Sequence, residues 1–402
     1  MVRFFYFYQG VRDVSNRNLQ NSKDNPNDEF YTQLEDIEAE LKYYPNHFTG
    51  KTVFCNCDDP FESNFTLYFI MHFNKLGLKR LISTGYATNP IAGRSIQQSA
   101  TYCLDLTNTK HFLRDGQKDL SRNDAINMIQ LETKHIKFLT GDEKYLAGDF
   151  RSAESIDLLE QCDIVVSNPP FSKFQEYIDL LEKHKKKYLF IGSVDQVTIK
   201  KFFMLLKEGK VWMGETMRGT GSHWFEVPDY YQNDNVRIIN GKRMMTNGRA
   251  CWWTNLDYHE RHKIQPLGYK YEGHEIDYPK YDNYDAIDIG VYTKDGGRRG
   301  DFSRTPYDYE GIMGIPYTAF GKICSEQFEI LGVTQRNDDP YKTKKYTKDE
   351  YKNANDLNAR GVIIINGIPK AIIPRILIKN RQPGRTDWEA WQREIDEERK
   401  DN

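Results

Sequence analysis

The stretch Ser167-Asn168-Pro169-Pro170-Phe171-Ser172 constrains this chain more than any other. Before it, Asp163-Ile164-Val165-Val166 is a short apolar, β-branched run of the kind that forms a buried parallel strand. After it, apolar residues at Phe174, Tyr177, Ile178 and Leu181 fall at helical spacing. The stretch is therefore expected on a strand-to-helix turn. Consecutive prolines fix φ at both positions, remove two N–H donors and hold Asn168 in extended geometry. What remains is a rigid cup of acceptors. Such a cup suits the exocyclic amine of adenine, because the Asn168 side-chain oxygen and the Pro169 carbonyl can accept its two N–H bonds. The nitrogen lone pair is then turned toward an incoming electrophile, and Phe171 would stack on the face of a flipped base.

The rest of the chain supplies candidates for the partner of that cup. Thr52-Val53-Phe54-Cys55-Asn56-Cys57 reads as a buried strand, and Asp58-Asp59-Pro60-Phe61-Glu62-Ser63-Asn64-Phe65 follows at its carboxyl end, where doubly wound sheets gather ligands. Upstream, Asp28-Glu29-Phe30-Tyr31-Thr32-Gln33 precedes a helical pattern at Leu34, Ile37 and Leu41, with Thr32 placed to cap that helix. Gly148-Asp149-Phe150 lies about twenty residues before the Asn-Pro-Pro-Phe turn. Lys79–Ser83, Tyr102–Leu106 and Lys187–Gly192 read as further strands. Segments 211–213, 223–227 and 250–253 read as an antiparallel tail of the same sheet.

The Asn-Pro-Pro-Phe turn resembles motif IV of the amino-group methyltransferases, written [DNS]PP[YFW]. Taken with the Phe-Tyr-Thr stretch and the glycine-poor Cys-Asn-Cys-Asp-Asp-Pro stretch, the pattern resembles the EcoRI-type adenine-specific DNA methyltransferase family, from about Asp28 to Ile378. Later marks are Trp252-Trp253-Thr254-Asn255-Leu256, Tyr284–Ile287, Asp308–Pro316, Glu326–Ile330 and Arg375–Ile378. The resemblance implies a Rossmann-like α/β class I sheet that uses S-adenosyl-L-methionine, followed by a smaller α+β target-recognition domain. It implies that Asn168, Pro169, Pro170 and Phe171 hold the reacting adenine. It assigns Phe30, Tyr31, Thr32, Asn56, Asp58, Asp59, Pro60, Asp149 and Phe150 to the cofactor, with Asp149 accepting its adenine amine and Phe150 packing on its ring. Ser83 and Thr84 stand where most relatives place a ribose-binding acid, so no ribose ligand is assigned. Aromatics that clamp a flipped base are sought among Trp224, Phe225, Trp252 and Trp253.

A length of 402 residues accommodates this plan: an N-terminal arm over 1–27, a catalytic domain over 28–257 and a recognition domain over 258–402. A hydrophobic content of 39% excludes a disordered chain, and a net charge of −2 supplies no global basic field. Phosphates of duplex DNA must then be met locally. Candidates are the glycine-flanked Arg298-Arg299 loop and the stretch with Lys342, Lys344 and Lys345. Val362–Ile365 and Ile372–Ile378 read as a β pair with a basic end, and Trp388–Lys400 as a charged helix. Six scattered cysteines form no CxxC pair, which argues against a metal site and for a reducing cytoplasm; the resemblance implies that of a bacterial or phage-infected cell. Met1–Gly10 is too short an apolar run to span a bilayer. A cognate restriction endonuclease is a further partner that the resemblance allows. The rival functions are RNA N6-adenine methylation, protein-glutamine methylation and a catalytically silent DNA-binding relative.

Overall fold

The computed structural model describes residues 32–85, 101–110, 113, 117–131, 135–218, 223–227, 231, 233–294, 297–334, 341 and 344–400. The N-terminal arm, Phe30, Tyr31 and Lys342 lie outside the described residues. Two compact units are present. One comprises the described residues of 1–193 and 221–256, the other those of 194–220 and 257–402. The segment 194–220, expected within a catalytic domain running to 257, packs with the second unit.

The first unit is built on the fully buried strand Thr52–Cys55 (β1) and the parallel strands beside it. Arg80–Thr84 (β2) pairs with β1 on one side. After Tyr102–Leu106 (β3) and Ile136–Phe138 (β4), Ile164–Ser167 (β5) pairs with β1 on the other side. Lys187–Ser193 (β6) runs parallel to β5. Trp212–Arg218 (β7) belongs to the second unit. Of the later strands, Trp224–Glu226 (β8), Arg237–Ile239 (β9) and Lys242–Thr246 (β10) form a small antiparallel sheet, and Ala250–Thr254 (β11) returns antiparallel to β6. The strand order in this unit is therefore β4-β3-β2-β1-β5-β6-β11.

Two expectations are corrected here. The sheet is mixed rather than mostly parallel, because β3 and β4 pair antiparallel beyond β2. An apolar run looks the same in either direction, so sequence patterning does not carry strand polarity. Segment 223–227 leaves the main sheet for the small one, while 250–253 stays. Phe225, Trp252 and Trp253 are buried, with exposures of 1%, 0% and 0%, whereas Trp224 is half-buried.

Helices complete the layers. Asn64–Met71 connects β1 to β2, and its residues Phe65 to Ile70 are all buried, as an almost wholly apolar sequence requires. Phe174–Lys183 connects β5 to β6 and buries Phe174, Tyr177, Ile178 and Leu181, the four positions read from the spacing. Because the chain leaves β1 toward β2 and leaves β5 toward β6, the loops after β1 and β5 part at a topological switch point.

In the second unit, Ala286–Asp288, Ile312–Pro316, Arg375–Asn380 and Phe328–Val333 form a four-stranded mixed sheet in that order. Gly361–Ile365 pairs with Ile368–Ile372 as a hairpin, so the expected strand over 372–378 is divided: Ile372 ends the hairpin, and Arg375–Asn380 joins the four-stranded sheet. Trp388–Glu398 is helical and buries Trp391 and Ile395. No helix among the described residues is long and apolar enough to cross a membrane.

Candidate active site

At the switch point the turn after β5 faces the loop after β1. The fully buried Ser167 ends β5, and its hydroxyl accepts from the Cys57 N–H at 3.0 Å and donates to Asp58 Oδ2 at 2.6 Å. Asp58 Oδ1 accepts from Ser63 Oγ at 2.7 Å, and the backbone N–H of Asn168 donates to the same carboxylate. Ser63 in turn caps the Asn64–Met71 helix by accepting from the Phe65 N–H. Behind the loop, Ser83 Oγ donates to the Asp58 carbonyl at 2.6 Å, and Thr84 Oγ1 to the Asn56 carbonyl at 3.3 Å. These two hydroxyls brace the loop from β2.

Asp58 is unusual in its company. Among the described residues its carboxylate is bonded to hydroxyls and an amide, and no basic side chain is paired with it. Burial pushes its pKa up to about 6, against the lowering effect of the Ser167, Ser63 and Asn168 bonds, with the charge of Asp59 adding a smaller upward push. A buried carboxylate of this kind fits a cationic ligand.

The acceptor cup has the expected local structure, strand, proline turn, then a short 3-10 turn over Phe171–Lys173 leading into helix. The Pro170 carbonyl is taken by the Lys173 N–H at 3.0 Å, which leaves the Pro169 carbonyl as the proline acceptor in the turn. Asn168 Nδ2 donates to Thr32 Oγ1 in a long bond of 3.4 Å, so Oδ1 is the end of the amide turned away from that bond. Thr32 is not the helix cap: Gln33 holds that position, and its side chain makes no capping bond to the helix. Thr32 is instead buried, with its carbonyl accepting from Asn64 Nδ2 at 2.8 Å and its hydroxyl meeting Asn168.

Other expected site residues behave differently. Asn56 is buried, its side-chain oxygen accepting from the Tyr177 hydroxyl at 2.7 Å. Asp59 is half-buried, accepts from the Phe61 N–H and precedes the buried Pro60; Gly85 lies so close that a Cβ there would come within 2.9 Å of the Asp59 Cα. Gly148-Asp149 is not at a strand end, since β4 stops at Phe138; it forms the turn before the Ala153–Gln161 helix. There Gly148 has a φ of +73°, and a Cβ on it would meet the Gly85 carbonyl at 1.8 Å. The loop after β1, the end of β2 and the 148–149 turn thus converge. The Asp149 carboxylate is gripped by Arg151, Nε to Oδ1 at 2.9 Å and Nη2 to Oδ2 at 2.7 Å, and Arg151 also pairs with Glu176. Phe150 is buried, with its ring edge-on to Tyr177.

The basic candidates divide. Arg298 is not on a flexible loop: Arg298–Gly300 is a strand paired with Gly290–Tyr292. Its side chain, 1% exposed, is paired with Asp288 at 2.6 Å, and Asp288 is shared with the buried Arg375 at 2.8 Å. Neither arginine is available to a phosphate. Arg299, Lys344 and Lys345 are exposed. Reading the sequence alone gave no site role to Ser63, Ser167 or Tyr177. The signal for Ser167 was its place directly before the acceptor cup, and for Ser63 its place as a cap before an apolar run; Tyr177 was read only as a buried helix position. Among the described residues no cluster of His, Cys, Asp and Glu could hold a metal ion.

Comparison with known proteins places this geometry. The family described as "Adenine-specific methyltransferase EcoRI" matches residues 18–381. The chain is 43% identical over 324 residues to "Type II methyltransferase M.EcoRI" of Escherichia coli, covering 80% of this chain and 90% of that protein. It is 31% identical over 364 residues to "Type II methyltransferase M.MpnI" of Mycoplasma pneumoniae, covering 89% and 96%. No solved structure matches. With a match across most of its length and relatives covered almost end to end, the chain belongs to the EcoRI-type adenine-specific methyltransferase family and is a DNA methyltransferase.

Proposed function

We propose that the protein transfers a methyl group from S-adenosyl-L-methionine to the N6 amine of adenine in a specific sequence of duplex DNA, with the target base turned out of the helix. The observation that carries this reading is the pairing, at one switch point, of a proline-stiffened acceptor cup with a buried carboxylate that has no basic partner among the described residues. The four central parallel strands and the loops gathered at their carboxyl ends support a Rossmann-like class I catalytic unit.

When bound, the donor supplies an electrophilic methyl group on a positively charged sulfur. Asp58 supplies the negative charge that its ammonium group calls for, with Asp59 and Pro60 on the same loop and Thr32 beside Asn168 as further contacts. Asn168 Oδ1 and the Pro169 carbonyl accept the two N–H bonds of the target amine and aim its lone pair, while Phe171 lies against the base. Orientation of this kind supplies a large part of a rate enhancement, and fixed acceptors stabilise the charge that develops on the amine. No side chain needs to act as a general base, because the methylated ammonium loses its proton readily to water.

The second unit is read as the part that recognises the target, with Arg299, Lys344 and Lys345 as phosphate contacts and the enzyme working in the cytoplasm, beside a cognate restriction endonuclease where one exists. The test is sequencing of DNA from cells expressing the wild-type chain or Asn168→Ala, scored for N6-methyladenine. Adenine methylation confined to one sequence in the wild type and lost in the variant is expected. Unmodified DNA in both would overturn the reading.

A further inference from the structure

We propose that Ser167 is a positioning residue that ties the donor loop to the acceptor cup, so that binding of donor and binding of target reinforce each other. The inference rests on the reading of the site given above. The β1–β5 ladder runs only through Val53↔Ile164 and Phe54↔Val165, whereas the β1–β2 ladder continues to Cys55↔Ser83. Past Phe54 the two central strands part, as they do at a switch point, and the bonds across the opening are made by side chains. One serine hydroxyl accepts from the Cys57 amide on the donor side and donates to the Asp58 carboxylate, while the next residue in the chain is the amide that holds the target. Asn168 N–H closes the ring by donating to the same carboxylate.

A hydroxyl is needed because the position must accept and donate at once within a fully buried site. Alanine would leave a buried N–H and a buried carboxylate oxygen without their partner. The carboxylate faces Asp59 on its own loop, Ser63 on the following helix, Ser167 and Asn168 on β5 and its turn, and, more distantly, the Cys55 thiol and the Tyr177 hydroxyl. Among the described residues none of these is a cation. Loss of the Ser167 bond therefore moves the acid limb of activity toward higher pH.

The experiment compares wild type with Ser167→Ala, Ser167→Cys, Ser167→Thr and Ser63→Ala, using a duplex that the wild type methylates. Single-turnover methyl transfer is followed against pH, and S-adenosyl-L-homocysteine affinity is measured with and without the duplex. Cysteine preserves the volume while weakening the hydrogen bonds, so it serves where alanine melts too early. Expected is a loss of roughly ten- to a hundredfold in transfer for Ala and Cys, an acid limb displaced to higher pH, and a smaller gain in cofactor affinity when duplex is added. Ser167→Thr, which keeps a hydroxyl at the position, is expected to restore the gain. Ser63→Ala, which loses a bond to the same carboxylate but none across β1–β5, is expected to retain it. A wild-type gain and wild-type pH profile in both Ala and Cys variants would overturn the inference, as would the same loss of gain in Ser63→Ala. A wild type that binds no cofactor and methylates no adenine would overturn the underlying reading instead.

Discussion

In the proposed reaction Asn168 accepts from the target amine, and its replacement by alanine removes that acceptor while leaving the backbone bond to Asp58 in place. Transfer is expected to fall about a hundredfold, on the order of 3 kcal/mol, while calorimetric affinity for the donor stays near that of the wild type; an unchanged turnover would remove Asn168 from the reaction. Asp58 answers to pH. Its pKa in the folded protein is about 6, above the ordinary 3.8, so the proton favours the folded state. That contribution to stability is complete below pH ~4 and is lost as the pH rises through about 6. A cation bound beside the carboxylate reverses the preference. Donor affinity is therefore expected to climb with pH up to about 6 and to level off above it, and a dissociation constant that does not vary over that range would place the donor elsewhere. The places of Asn168 and Asp58 in the fold were legible in the sequence because each follows a short buried strand. The bond from Tyr177 to Asn56 was not, because Tyr177 lies 121 residues away on the helix after β5.

At the scale of elements, Arg298 shows what a local pattern leaves out. Two arginines among glycines read as a loop, yet the chain runs there as a strand, with Asp288 drawing Arg298 and Arg375 inward. One carboxylate serves two buried guanidinium groups, so its removal leaves both charges uncompensated. Asp288→Asn is expected to cost about 3–5 kcal/mol in urea unfolding, clearly more than Arg298→Ala, after which Arg375 still neutralises Asp288. Equal losses for the two would refute the shared-carboxylate account. Because Arg298 is inaccessible, its substitution is expected to leave the salt dependence of DNA binding as in the wild type, whereas Arg299→Ala, if Arg299 meets a phosphate, lowers the slope by roughly one. In the first unit β1, β2, β3, β5, β6 and β11 and the buried face of Phe174–Lys183 were legible, since periodicity is local, whereas β4, β9 and β10 were not read. The direction of β3 and the transfer of β8 to a separate sheet depend on partners outside the local stretch, and no periodicity encodes them; the pairing of 361–365 is local, a hairpin closed at Asn366-Gly367.

On the scale of the whole molecule, the chain passes from one unit to the other at 193/194, at 220/221 and again at 256/257. The second unit uses its early segment structurally: Tyr317 donates to Asp195 at 2.6 Å, Tyr258 donates to the Met213 carbonyl at 2.8 Å, and Arg261 lies over the Trp212 ring at 3.6 Å. A fragment of residues 257–402 lacks all three contacts and is expected to melt without a cooperative transition, as followed by circular dichroism. A sharp transition in that fragment would mean that 194–220 is dispensable to it. If the second unit reads the target, as proposed, this threading governs how specificity can pass between relatives. A hybrid enzyme with a single junction near 256 joins the late part of one parent to the 194–220 segment of the other, mixing two ancestries inside one core. A clean exchange needs three crossovers, so recombination has few routes to a new recognition sequence that do not first disturb folding.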